Sequence, residues 1–131
     1  MAGKLSAQAQ AKLAMLREMA RKIDHVRGLV EQFAVARGRN AELLAIPIKR
    51  AFGRLKLELM GAGLDNLSQL AGSMELAARR SGNQQKKARI LREGVGTLVT
   101  QVELEQRAVV DEDQRKQKKQ EQQQAGADES G

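Results

Sequence analysis

The chain has 131 residues, with 23 Lys and Arg against 16 Asp and Glu, giving a formal net charge of +7; at that length one domain is the ceiling. It contains no Cys, Trp or Tyr, two Phe, one Pro and one His, which excludes disulfides, thiolate chemistry and cysteine-based zinc sites. Its apolar fraction of 41% comes mainly from Ala, Leu, Val, Ile and Met, the material of helical bundles.

The amino-terminal stretch Met1 to Gln8 has a lysine but no following apolar run, so it does not read as a secretory signal. No stretch of about 18 apolar residues occurs, so a membrane span is not expected and a cytoplasmic location is. Glu18, Asp24 and Glu31 argue against a basic transit peptide.

The first helix is expected from about Leu5 to about Arg37. Leu16, Met19, Ile23, Val26, Val30 and Phe33 recur at alternating spacings of 3 and 4, which lays one apolar seam along a helix. Gly38 ends it, and Asn40 is placed to cap the next helix.

A second helical stretch runs from about Ala41 to Arg80, but its apolar stripe changes phase. Ile48, Phe52, Leu55 and Leu59 form one stripe; Met60, Leu64, Leu67, Ala71 and Met74 form another. The offset falls at Gly61 to Gly63, where each glycine costs about 1 kcal/mol relative to Ala in a helix. A break there makes four helices, with Asp65 capping the new one; close packing around the glycines leaves three. Pro47 lacks an amide hydrogen and biases Ile46 away from helix, so Ala41 to Ile46 could form a separate turn.

Ser81-Gly82-Asn83 reads as a turn, with Asn83 as cap of the last helix. That helix carries a seam of Ala88, Leu91, Val95, Leu98 and Val102, with Gly94 and Gly96 leaving room for a close neighbour. Glu105 falls where the next apolar residue is due, so packing is expected to loosen there. Residues 111–131 hold no apolar residue except Ala125 and Ala127, and Asp111, Glu112, Asp113, Glu121, Asp128 and Glu129 outnumber Arg115, Lys116, Lys118 and Lys119. Such a Gln/Lys-rich segment cannot offset the entropy of ordering itself, so it reads as a low-complexity tail, either disordered or continuing as an exposed, frayed helix before a disordered end over 126–131. The expected fold is all-α: an antiparallel bundle of three long helices over 1–110, or four with the split, followed by a charged tail over 111–131.

Little supports an active site. His25 has no second His or Cys at ligand spacing. Glu103 with Glu105, and Glu58 with Asp65, are poorly disposed for acid/base work and read as partners of nearby cations. Gly61-Ala-Gly63 lacks the Lys-Ser/Thr of a phosphate loop. No Glu-x-x-His pairs of the di-iron type occur. The expectation is no enzyme, no metal and no cofactor.

The basic residues carry the remaining signal. Arg79, Arg80, Lys86, Lys87, Arg89 and Arg92 occur with no intervening acid, and a turn should gather them at one end of a helical hairpin. Lys49, Arg50, Arg54 and Lys56 form a second acid-free group. Clusters of this kind neutralise phosphates by counterion release, giving salt-sensitive, largely sequence-independent binding to RNA or DNA. Phe33 and Phe52 lie on apolar seams, so base stacking is not expected, and the helices are too long for a helix-turn-helix. The doubled stripe across residues 44–78 exceeds what one neighbour covers, which suggests a homo-oligomer. The rival reading is a protein-interaction or assembly module, its cations paired with a partner's acids.

Pro47-Ile-Lys-Arg-Ala-Phe52-Gly-Arg-Leu resembles a segment of the accessory variability proteins of diversity-generating retroelements. Gly63-Leu-Asp-Asn-Leu-Ser-Gln-Leu, Ala78-Arg-Arg-Ser and Leu91-Arg-Glu-Gly-Val-Gly-Thr-Leu are similar to segments of the wider four-helix-bundle superfamily that includes the ribosomal-RNA intervening-sequence proteins. The likeness spans about residues 46 to 105. The family's aromatic closing helix is missing, and the long first helix and Gln/Lys-rich tail have no counterpart. The resemblance implies a small basic bundle that assembles into a ring and assists a reverse transcriptase by holding RNA or complementary DNA, without an active site.

Overall fold

The computed structural model describes residues 4–80 and 82–129. They form four helices: α1 (Ala7–Val35), α2 (Arg39–Gly61), α3 (Asp65–Arg79) and α4 (Gln84–Glu129). Successive helices run antiparallel, and α4 returns to pack along α1. Lys22 of α1 meets Glu58 of α2, Ser68 of α3 meets Lys56 of α2, Lys87 of α4 meets Ala78 of α3, and Arg92 of α4 meets Glu31 of α1. The bundle therefore closes in the order α1–α2–α3–α4.

The glycines decide the helix count, and the expectation of three long helices is corrected to four. α2 stops at Gly61, and Gly63 adopts φ +78, a left-handed conformation that a residue with a Cβ seldom takes. Leu64, not Asp65, occupies the N-cap position of α3; Asp65 lies within the first turn, where its carboxylate suits the positive end of the helix dipole. Gly38, also with positive φ, takes the N-cap of α2, so Asn40 is not a cap. Pro47 does not divide α2 either: the helix is continuous from Arg39 to Gly61 around it. Asn83 does cap α4, its Oδ1 accepting from the Gln85 amide at 2.8 Å and the Lys86 amide at 3.3 Å. Ser81, the first residue of the expected turn, lies outside the described residues, as do Met1 to Gly3, Ser130 and Gly131.

The core is the set of seams read from sequence. Leu16, Ile23, Ile48, Phe52, Leu59, Leu91 and Leu98 are among the most deeply buried side chains, and burying each stabilises the fold by about 1.5–3 kcal/mol. Of the stripe from Met60 to Met74, Met60 stays exposed, but the rest is covered by the fold itself. The turn at Gly61–Gly63 folds α3 back on α2, so Leu67, Ala71 and Met74 enter the same core.

Helix lengths differ, and this shapes the molecule. At ~1.5 Å per residue, α3, of 15 residues, ends far short of α4, of 46. Beyond the α2–α3 turn only α1 and α4 continue, forming a two-helix arm around Ala9, Leu13, Leu16 and Val109, with Leu64 packed at its base. Past Glu105 packing continues in this arm through Val109. Past residue 110, α4 continues without a break, as the reading of that segment as a helical extension has it; the departure is that Asp113 is buried against α1 and not exposed. Among the described residues no helix is long and apolar enough to cross a membrane.

Candidate nucleic-acid interface

Two inter-helix turns meet at one end of the bundle. The Gln84 side-chain amide donates to the Phe33 carbonyl at 2.9 Å and to the Ala36 carbonyl, which joins the start of α4 to the end of α1. The α1–α2 turn at Gly38 and the α3–α4 turn at Gly82 therefore sit side by side.

This end gathers Arg79, Arg80, Lys86, Lys87 and Arg89 and adds two cations that the sequence reading missed, Arg37 and Arg39. Across residues 36–43, 75–80 and 82–90 these seven basic side chains face two carboxylates, Glu42 and Glu75. Arg37 and Arg39 are distant in sequence from the main cluster; their signal was their place beside Gly38, in a turn that an antiparallel bundle must bring to the same end. Arg79 is held by Glu75 at 3.1 Å, and the Lys87 ammonium lies 3.4 Å from the Ala78 carbonyl. Arg37, Arg39, Arg80, Lys86 and Arg89 are exposed and make no ion pair among the described residues.

Arg92 stands apart from this group. It points to α1 and forms a two-point ion pair with Glu31, at 2.9 and 2.7 Å. Those hydrogen bonds hold the Glu31 carboxyl below its ordinary value and raise Arg92, so the charge of Arg92 is largely answered within the chain.

Lys49, Arg50, Arg54 and Lys56 do not form one patch. Arg50 and Arg54 line the α1–α2 groove with Arg21, Lys22, His25 and Glu58. Lys56 lies against Gly72 on the α3 side. The register that sets Lys56 beside Gly72 and Gly53 beside Glu75 brings Lys49 level with Arg79. At 3.6 residues per turn these four cations spread over an arc of about 160° of α2, so adjacency in sequence separates them in space. His25 is exposed on the wall of the α1–α2 groove, and no cluster of three or more possible metal ligands forms among the described residues.

The helix ends sharpen the electrostatics. Arg79 and Arg80 follow the usual preference for cations at a helix carboxyl end. Lys86, Lys87 and Arg89 do the opposite: they crowd the amino end of α4, whose first turn has no acid, and there positive charge opposes the helix dipole. Folding alone would favour carboxylates at these positions. Between α3 and α4 at this end lies a groove of about 630 Å³, floored by Met74, Leu76, Ala77 and Ile90 and edged by Arg80, Lys86 and Lys87. No protein-family model, curated protein or solved structure matches the chain.

Proposed function

We propose that the protein is a non-enzymatic accessory or scaffold subunit that holds RNA or DNA by its phosphates at the end of the bundle formed by the α1–α2 and α3–α4 turns. One observation carries this reading: seven cations from three chain segments share that end with two acids, five of the cations make no ion pair among the described residues, and Lys86 and Lys87 stand in the first turn of α4, where they oppose the dipole. A polyanion supplies the compensating charge, and binding releases its condensed counterions. The cations reach the nucleic acid from different helices, so they define a surface and not a groove-reading element; affinity without base specificity follows. The likeness to the retroelement accessory proteins extends the proposal to a role beside a reverse transcriptase.

The apolar floor of the α3–α4 groove favours a second reading, a protein-interaction module, because phosphates make no use of exposed Leu76 and Ile90. A mobility-shift titration with duplex and single-stranded probes at low and moderate salt separates the two. Binding that weakens steeply with salt, and that Arg39→Ala plus Arg80→Ala reduces, supports phosphate contacts. Absence of binding at low salt overturns the proposal in favour of the protein-interaction reading.

A further inference from the structure

The groove between α1 and α2 is separate from the basic end of the bundle. It encloses about 520 Å³, within the range of about 300–1,000 Å³ usual for small-molecule sites. Buried Val26 and Leu55 close its floor. Half-buried Leu29 and Ala51 and the exposed ring of Pro47 form an apolar shelf toward the Gly38 turn.

Its walls are charged, and the charges are answered at one end only. Away from Gly38, Arg21 is paired with Glu18 and Lys22 with Glu58. Past those pairs the groove holds Arg50 and Arg54 on α2 and His25 on α1, with no carboxylate. The Lys22–Glu58 contact sets the register of the antiparallel helices, which puts His25 level with Arg54. Arg54 has one acid at helical spacing, Glu58, and Lys22 has taken it. Arg50 has none at a spacing of 3 or 4, and Glu42 stands two turns away along α2. Asp24, beside His25 in sequence, is not part of the groove and lies 3.7 Å from Arg27. Arg50 and Arg54 are exposed and make no ion pair among the described residues.

Like charges four residues apart on one helix repel each other, and a concave site with apolar walls focuses their field. An anion held between them removes the repulsion. We infer that this groove binds a phosphate monoester carried on a flat ring, the chemical class of the nucleotides. Arg50 and Arg54 present planar forks that match phosphate oxygens two at a time. His25 offers a ring N–H from the opposite wall. The ring of the ligand lies on Leu29, Pro47 and Ala51; a bare phosphate leaves that shelf and most of the groove unused. The inference does not rest on nucleic-acid binding, because Arg50 lies eleven residues along α2 from Arg39, ~16 Å at ~1.5 Å per residue.

The test is calorimetric titration of the full chain with adenosine 5′-monophosphate, adenosine and inorganic phosphate. The monophosphate is expected to bind at one site with a Kd below about 1 mM, inorganic phosphate about tenfold more weakly, and adenosine without saturation. Arg50→Lys plus Arg54→Lys keeps the charge but loses the forks, so it should weaken the monophosphate about tenfold. Arg37→Ala plus Arg39→Ala, at the basic end, should leave its affinity unchanged. Both variants should keep the helical circular dichroism. The chain has one histidine, so the His25 ring-proton NMR signals locate the ligand and should shift as the monophosphate saturates. No saturable binding, equal affinity for the monophosphate and inorganic phosphate, full affinity in the lysine variant, or unmoved His25 signals at saturation overturns the inference. So does loss of binding in the Arg37 and Arg39 variant, which would place the nucleotide at the basic end.

Discussion

Ser6 and Asp113, 107 positions apart, fasten the open end of the two-helix arm: Asp113 accepts the Ser6 backbone N–H at 2.9 Å and its hydroxyl at 2.6 Å. Ser6 Oγ in turn accepts the Ala9 amide at 3.2 Å, so one serine both caps α1 and ties it to α4. Gln117 completes the fastening by donating to Asp113 at 3.0 Å and to the Lys4 carbonyl at 2.9 Å.

These contacts give the arm a pH dependence. The Ser6 hydroxyl, then its N–H, and nearby Lys116 hold the Asp113 carboxyl below its ordinary value of 3.8. A carboxyl lowered in the folded state contributes stability that is present above its unfolded pKa and is lost as pH falls through the folded one. Asp113→Ala should therefore lower Tm near neutral pH, and its deficit relative to wild type should shrink between about pH 5 and about pH 2. A deficit constant across that range would show that the carboxylate charge plays no part.

Much of the fold was legible because it rests on periodicity. The seams from Leu16 to Phe33 and from Ala88 to Val102 are buried as read, since apolar spacing of 3 and 4 has few other solutions. Local punctuation was less legible. Pro47 predicts a break by its own chemistry, but burial of Ile48, Phe52 and Leu55 on one face holds α2 continuous through it. Asp113 escaped notice because its partner lies 107 residues away and nothing local marks a buried carboxylate. For the candidate site, the gathering of Arg79 to Arg89 at a turn followed from topology. That Arg92 is tied to Glu31, and that Arg50 and Lys49 diverge around α2, depends on side-chain direction, which a count of charges does not contain.

Pro47 should consequently be a site of cheap stabilisation. Without an N–H it leaves the Leu43 carbonyl without its helical donor, and it lies exposed, eight residues into α2. Pro47→Ala restores that hydrogen bond, partly offset by a freer unfolded chain; the expected gain is about 1–3 kcal/mol, measured by urea denaturation. Loss of stability would mean that the ring's packing beside Leu29 and Ala51 outweighs the missing bond.

The glycines of α1 and α4 should respond in opposite directions. Gly28 has open space around it, so Gly28→Ala should stabilise by about 1 kcal/mol through helix propensity alone. At Gly94 a Cβ would overlap the Met74 sulfur and stand 2.8 Å from Met74 Cγ. Gly94→Val should therefore destabilise by about 1–3 kcal/mol through overpacking. Adding Met74→Ala should recover part of that loss, and the double-mutant cycle tests whether the close approach of α3 and α4 depends on this pair.

The Glu31–Arg92 pair gives the sharpest test of the phosphate reading, because it separates charge that is free from charge already answered. Arg80 makes no ion pair among the described residues, whereas Arg92 shares two hydrogen bonds with Glu31. Each phosphate contact contributes about 0.9 to the slope of log affinity against log salt for duplex DNA. Arg80→Ala should therefore lower that slope by about one and narrow the affinity ratio between about 50 and 200 mM salt by about threefold, while Arg92→Ala should leave it nearly unchanged. Glu31→Gln removes the competing carboxylate and releases Arg92 toward the basic end, so it should tighten binding and steepen the salt dependence by about one contact. Fluorescence anisotropy with a labelled duplex across a salt series measures all three. Equal losses for Arg80→Ala and Arg92→Ala would mean that net charge alone governs binding and that no particular end of the bundle grips the nucleic acid.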